Sequence, residues 1–179
     1  MTRSYDSLLR TFRKLEAPEP ESWARGEARE NLPELARLLF LKQAWTLVIA
    51  EDDAAWMQEW MRPMRPDEPL AGMQPALERL RARGADVADL NTLVRGMQFR
   101  LLDGLCRLLE DAGYGRPEAT RDAEREVDRI DWALFELDED GQPARKIAGL
   151  ADAVMSLDPT GREMRPRKER DDSTRRTQR

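Results

Sequence analysis

The sequence predicts a mainly α-helical fold, a single-domain bundle of about five helices with a small β-hairpin near its C-terminus. Apolar residues recur every three or four positions over several segments of the 179-residue chain, which is typical of a buried helix face. Hydrophobic residues make up 40% of the chain and charged residues 36%, enough for one core inside a well-solvated surface. No apolar run approaches the ~18 residues that span a bilayer, so we expect no membrane association.

The first two helices follow from capping and apolar spacing. Ser4 or Asp6 caps a first helix, and the prolines at 18 and 20 end it. Its apolar face comprises Leu8, Leu9, Phe12 and Leu15. Asn31, followed three residues later by Glu34, forms a capping-box pattern that predicts the start of a second, central helix. Its apolar pattern continues past the acidic residues 51–53 and reaches Met61 before Pro63.

Two further helices are predicted in the middle of the chain. Pro75 and Gly84 bound the first of them, in which Leu77 and Leu80 should face inward. Asp86 or Asp89 caps the second, the best-defined helix of the chain. Its apolar residues recur at helical spacing as far as Gly113 and comprise Leu90, Leu93, Val94, Met97, Leu101, Leu105, Leu108 and Leu109.

Beyond Gly113 the pattern changes. Residues 116–129 are almost wholly polar and predict a loop with a helical turn. Alternating apolar residues from Trp132 to Leu137, the Asp140-Gly141 turn and residues 144–147 predict the β-hairpin. A short last helix over 150–157 should end before Pro159. We therefore expect a helical domain with a hairpin over residues 1–159 and a basic, disordered tail over residues 160–179.

The residue types exclude much familiar chemistry. The chain contains no histidine, the usual general base and metal ligand near neutral pH, and its single cysteine, Cys106, lies in an apolar helix face. Glu27 and Glu30 form one carboxylate pair at one-turn spacing, but the second pair that a helical magnesium site needs is missing. The acidic loop around Asp140 lacks the later ligands of a calcium loop. The sequence thus predicts no cofactor, no metal and no catalytic residue.

The charge is distributed unevenly. Residues 160–179 carry a local charge of +4, which leaves −9 on residues 1–159. Because an acidic body repels phosphates, we expect no nucleic-acid partner and instead a protein partner with a basic surface. The N-terminal residues lack the continuous apolar region of a secretory signal, and one cysteine cannot form an internal disulfide. A cytoplasmic location is therefore predicted.

Three segments resemble parts of uncharacterised bacterial proteins to which no activity is assigned. The clearest segments are residues 89–97 (DLNTLVRGM), 132–141 (WALFELDEDG) and 157–166 (LDPTGREMRP), and the resemblance covers about a third of the chain. The resemblance implies a bacterial origin and directs attention to Arg95 and to the turn from Asp158 to Pro166.

These observations define a candidate partner-binding set. Tryptophan and methionine are enriched at protein interfaces, and exposed carboxylates can steer a basic partner. The set comprises Glu51, Asp52, Asp53, Trp56, Met57, Trp60, Met61, Met64 and Arg95. The tryptophan and methionine residues from Trp56 to Met64 in this set are called the Trp-Met segment. The alternative for this segment is that its two tryptophans pack in the core.

Three functions follow from the sequence. The first is a non-catalytic protein-binding module that masks a partner protein, as an immunity protein or inhibitor does. The second is a carboxylate-dependent magnesium enzyme acting on a nucleotide or phosphoester. The third is a homodimeric helical scaffold, because Gly96 and Gly104 lie eight residues apart inside one helix and favour the close crossing of another helix.

Overall fold

The structure, a computed structural model, describes residues 4–116 and 130–167 and confirms the mainly helical prediction. In these two ranges there are seven α-helices, five of them with ten residues or more, and one two-stranded antiparallel sheet. The helices are α1 (Tyr5–Lys14), α2 (Pro20–Arg29), α3 (Glu34–Trp45), α4 (Ala55–Trp60), α5 (Met73–Ala82), α6 (Val87–Glu110) and α7 (Leu150–Ala153), with a 3-10 helix at Met155–Leu157. The strands are β1 (Phe135–Leu137) and β2 (Pro143–Lys146). Within the described ranges, no helix has the length and hydropathy that crossing a membrane requires.

The N-terminal helices show one confirmed prediction, one helix that was not predicted and one wrong prediction. Ser4 caps α1, since its hydroxyl accepts a hydrogen bond from the Ser7 backbone N–H at 3.4 Å. Helix α2 was not predicted, although Pro20 at its first position is a typical helix-start signal. The predicted capping box at Asn31 is wrong, because Asn31 adopts a positive φ of 56° between α2 and α3 and Pro33 occupies the N-cap position of α3. The Glu27 carboxylate of α2 instead accepts from the Leu35 N–H in the first turn of α3.

The predicted continuation of the central helix as far as Met61 is also wrong. Helix α3 ends at Trp45, and a loop separates it from α4. Side chains of α6 hold the backbone of this loop: Gln98 accepts from the Ile49 N–H at 2.9 Å, and Arg95 donates to the Ile49 carbonyl at 2.6 Å. These hydrogen bonds come from residues far along the chain, so they override the local helical pattern.

Helices α5 and α6 lie close to their predicted positions. Asp86 caps α6 by accepting from the Ala88 N–H at 2.6 Å. Leu77 is buried as predicted, but the inward prediction for Leu80 is wrong because its side chain is exposed. Helix α6 ends at Glu110, whose carboxylate accepts hydrogen bonds from the Leu150 and Ala151 N–H groups at the start of α7. The predicted loop with a helical turn over 116–129 lies almost entirely outside the described residues.

The core has two parts. The larger cluster joins the inner faces of α1, α2, α3, α6 and α7, with Phe12, Leu38 and Cys106 fully buried. The smaller cluster consists of Met57, Leu77 and Leu90, with Trp56 and Met61 packed against it. The buried faces of α6 thus face both clusters.

The hairpin forms where the sequence predicts it. Asp138 accepts hydrogen bonds from the Asp140 and Gln142 N–H groups, and Gly141 takes a φ of 74°, which completes the turn. Arg145 on β2 joins the hairpin to the helices by donating to Glu27 of α2 at 2.7 Å and to the Leu32 carbonyl at 3.1 Å. It also pairs with Glu136 across the hairpin.

Replacing Arg145 with alanine should lower the free energy of unfolding by about 2–3 kcal/mol, because the largely buried Glu27 carboxylate would lose its cationic partner. Urea unfolding followed by tryptophan fluorescence measures the change. Arg13→Ala is the matched control, since Arg13 pairs with Glu21 on the surface, and it should leave the stability nearly unchanged. Equal effects of the two substitutions would show that Arg145 is no more than a surface contact.

Candidate functional site

The first candidate site is an exposed apolar face on α6. Leu93, Met97, Leu101 and Leu105 follow one another at intervals of four residues and are 63%, 72%, 74% and 43% exposed. We call these four residues the α6 stripe. The opposite face of the helix, including Phe99, Leu102 and Cys106, is buried in the larger core cluster. The helix is therefore apolar on two sides, and only one of them is covered by the described residues.

Gly96 and Gly104 lie on the open side of the same helix. Apart from the adjacent residues and the backbone of the same helix, no atom of the described ranges lies within 4 Å of where a side chain at either position would begin. The close helix crossing that the sequence predicts at these glycines does not occur between the described elements. Their open surroundings leave room for the backbone of another molecule.

The Trp-Met segment divides between core and surface. Met57 is buried in the smaller core cluster, and Trp56 packs against that cluster while its indole N–H donates to Asn91 at 2.7 Å. Met61 packs there as well, whereas Trp60 and Met64 are half-buried. Most of this predicted partner-binding segment therefore holds α4 against α5 and α6.

The acidic residues 51–53 lie on the loop between α3 and α4. Glu51 pairs with Arg162 and, at 3.2 Å, with Arg167. Asp52 pairs with Arg167 at 2.9 Å, and the Asp53 carboxylate accepts from the Ala55 N–H at 2.7 Å. Two of the three carboxylates predicted to attract a basic partner thus hold arginines of the same chain.

Arg95 lies beneath this loop and is buried. Its guanidinium donates to Asp158 at 2.6 Å as well as to the Ile49 carbonyl, and it stacks 5.5 Å from the Trp45 ring. Arg95 and the first residue of the turn from Asp158 to Pro166 thus form a direct ion pair, with side chains 8% and 0% exposed. The burial of Arg95 leaves little of it for a partner to contact.

Asp158 organises the turn that follows it. Its carboxylate accepts hydrogen bonds from the Thr160 hydroxyl at 2.6 Å and from the Met164 N–H at 2.8 Å. Burial alone would raise the pKa of Asp158, but these hydrogen bonds and the charge of Arg95 outweigh it and lower the pKa. Residues 160–167 of the predicted tail are consequently part of the folded structure, whereas residues 168–179 lie outside the described ranges.

A cleft of about 290 Å³ opens above this ion pair. Its lining includes Glu51, Asn91, Arg95, Asp158, Arg162 and Arg167. The carboxylates and most of the guanidinium groups of the cleft are paired with one another inside the chain. Such paired charges position the backbone, and they are not an arrangement that activates a nucleophile.

Two other groups that catalysis could use, Cys106 and Glu27, have structural surroundings instead. Burial, with the nearby charges of Glu110 and Asp103, raises the pKa of the Cys106 thiol to about 11, so it remains protonated at neutral pH. Glu27, on which the magnesium alternative depends, accepts from the Leu35 N–H at 2.8 Å and holds Arg145. Among the described residues no group of three or more acidic or cysteine side chains could hold a metal ion.

Comparisons with known protein families, curated proteins and solved structures give no match to this chain. The resemblance to bacterial proteins stays a prediction from the sequence.

Proposed function

We propose that the protein is a non-catalytic protein-binding module, the broad class to which immunity proteins and inhibitors belong. The observation that carries the proposal is the α6 stripe. Contiguous apolar patches on the surfaces of soluble monomers are small, and larger ones mark interaction sites. Burying one leucine or methionine side chain contributes roughly 1.5–3 kcal/mol, so covering the stripe would stabilise a complex substantially.

The flanks of the stripe also favour a binding role. Leu93, Met97, Leu101 and Leu105 contain no charged group, while Arg100 and Arg107 lie beside them on the exposed helix surface. A protein interface typically has such an apolar centre and a polar rim. Leucine and methionine are also good helix formers, so the stripe rests on a regular, rigid element.

The acidic loop is a second candidate surface for a basic partner. Asp52 is largely exposed and already holds the guanidinium of Arg167, which shows that the loop geometry accepts an arginine side chain. Arg167 is itself largely exposed, so an arginine of a partner could replace it. The alternative to binding through the α6 stripe is therefore an inhibitor-like function in which a basic partner binds at the acidic loop.

The proposal is tested by sedimentation velocity of the fluorescently labelled full chain in a native lysate. We expect the wild type to sediment as a complex heavier than the 20.7 kDa chain. Leu101→Lys should shift it toward the monomer, because a charged side chain in the stripe would have to be desolvated on binding. Reversing Asp52 and Asp53 to lysine should cause that shift instead if the acidic loop carries the interaction.

Leu137→Lys is the matched control. Leu137 on the hairpin is 64% exposed, close to the values of the stripe, and lies on a different element. This variant should sediment as the wild type does. If the labelled wild type still sediments as a free monomer when the lysate proteins are in large excess over it, a binding function is contradicted.

A further inference from the structure

We propose that residues 159–167, which we call the C-terminal strap, form an autoinhibitory contact in which an arginine of the chain occupies the place of a basic partner on the acidic loop. The inference rests on the alternative form of the proposed function, in which a basic partner binds at the acidic loop. It adds the regulation of that site, because the strap and the partner compete for the same carboxylates.

The strap contacts the acidic loop from the far end of the chain. Arg162 pairs with Glu51, and Arg167 pairs with Glu51 at 3.2 Å and with Asp52 at 2.9 Å. These arginines lie 111 to 116 positions after the carboxylates that they contact. The tertiary structure therefore supplies the acidic loop with cationic groups of the same kind that a basic partner would bring.

The first part of the strap is held firmly. The Asp158 carboxylate accepts hydrogen bonds from the N–H and the hydroxyl of Thr160 and from the Met164 N–H. Met164 also packs against the larger core cluster, and Arg162 closes the turn by donating from Nε to the Arg165 carbonyl at 3.2 Å. The strap up to Met164 thus belongs to the fold and keeps the residues that follow beside the acidic loop.

Arg167, at the end of the strap, is held by weaker contacts. Its side chain is 64% exposed, and that of Asp52 is 76% exposed. Because solvent screens an exposed ion pair, such a pair shifts an equilibrium by no more than about fivefold. The Arg167 contact can therefore open while the rest of the strap stays in place.

A weak contact of this kind still competes with a partner. The firmly held part of the strap keeps the Arg167 guanidinium beside Asp52, so its effective concentration there is roughly millimolar. A partner arginine that binds Asp52 must first displace Arg167. The apparent affinity for the partner then falls in proportion to the fraction of molecules in which the contact is open.

The first test measures how a fluorescein-labelled pentaarginine peptide binds to the purified full chain, by fluorescence anisotropy at about 0.15 M salt. Arg167→Ala should lower the dissociation constant about fivefold, because the substitution removes the competitor. Arg165→Ala is the matched control, since it removes the same charge from the strap but Arg165 pairs with Glu163. This variant should bind the peptide as the wild type does, and equal gains for the two variants would overturn the proposal.

The second test identifies the carboxylate for which the strap competes. Asp52→Asn keeps the size of the side chain and removes the charge that holds Arg167. In this background the gain from Arg167→Ala should fall below about twofold, because the two residues act as a pair. A gain that stays at about fivefold would overturn the assigned contact. Both side chains are largely exposed, so urea unfolding should show wild-type stability for these variants.

The outcomes separate this inference from the proposed function. If neither the wild type nor Arg167→Ala binds the peptide, the inference is overturned, while a Leu101-dependent complex in lysate would still support the binding function. A lysate complex that depends on Asp52 and Asp53 but is not strengthened by Arg167→Ala would likewise preserve the function and overturn the strap as its regulator. A gain in peptide binding for Arg167→Ala alone, without any complex in lysate, would support the autoinhibitory contact and contradict the function.

Discussion

Replacing Asp158 with alanine is expected to lower the free energy of unfolding by about 3–5 kcal/mol. The substitution leaves the Arg95 guanidinium buried without its counterion, and it removes the acceptor for the Thr160 and Met164 N–H groups. Urea unfolding at neutral pH, followed by tryptophan fluorescence, measures the loss.

The effect should depend on pH in a defined direction. Because folding lowers the pKa of Asp158, this carboxyl group binds fewer protons in the folded protein than in the unfolded chain at acidic pH. The stabilisation is therefore present above the unfolded pKa of about 3.9 and is lost as the pH falls through the lower folded value. The difference between wild type and Asp158→Ala should shrink below about pH 4, and a constant difference down to pH 2 would contradict the assigned role.

Two variants separate charge from packing. Asp158→Asn keeps an acceptor of the same size but removes the charge, so its effect should lie between those of wild type and alanine. Asp67→Ala breaks an aspartate–arginine pair on the surface and should change the stability little. If Asp67→Ala and Asp158→Ala have the same effect, burial of the Arg95 pair contributes nothing.

Replacing Trp45 with alanine is expected to lower the free energy of unfolding by about 3–5 kcal/mol. The indole is buried, stacks on Phe99 with the ring centroids 5.6 Å apart, and donates from its N–H to the Val154 carbonyl at 2.8 Å. Its removal leaves a cavity between α3, α6 and the segment after α7. It also leaves the buried carbonyl without a donor, which adds a desolvation cost.

Trp132→Ala is the matched control for this substitution. Trp132 also donates from its indole N–H to a backbone carbonyl, that of Leu108, at 2.6 Å, but it is 42% exposed, whereas Trp45 is buried. Urea unfolding of this variant should show a loss of about 1 kcal/mol. A loss as large as that of Trp45→Ala would mean that burial does not distinguish the two sites.

Features that depend on neighbouring residues were predictable from the sequence. Ser4 and Asp86 cap helices by bonding to backbone groups two or three positions away, and the Asp140-Gly141 turn is equally local. The break after Trp45 could not be predicted in this way. It depends on Arg95 and Gln98, which lie more than forty residues further along the chain.

The candidate site shows the same limit. Apolar spacing predicted α6 correctly, but periodicity alone could not show which apolar residues face the core. Leu102 and Leu101 are adjacent in sequence, yet only Leu102 is buried in the larger cluster, whereas Leu101 is exposed. The ion pair between Arg95 and Asp158 was not predicted, because nothing local relates position 95 to position 158.

The Arg95–Asp158 pair also constrains the order of folding during synthesis. The two residues are 63 positions apart, and the Trp45 indole donates to the Val154 carbonyl, 109 positions further along the chain. At about 5–20 residues per second, a ribosome needs roughly 3 to 13 s to proceed from Arg95 to Asp158. During that interval the inner face of α6 lacks its final cover. Helices α1, α2 and α3 are already synthesised and can pack against part of this face, but the part that α7 covers is exposed together with the α6 stripe until α7 and Asp158 emerge.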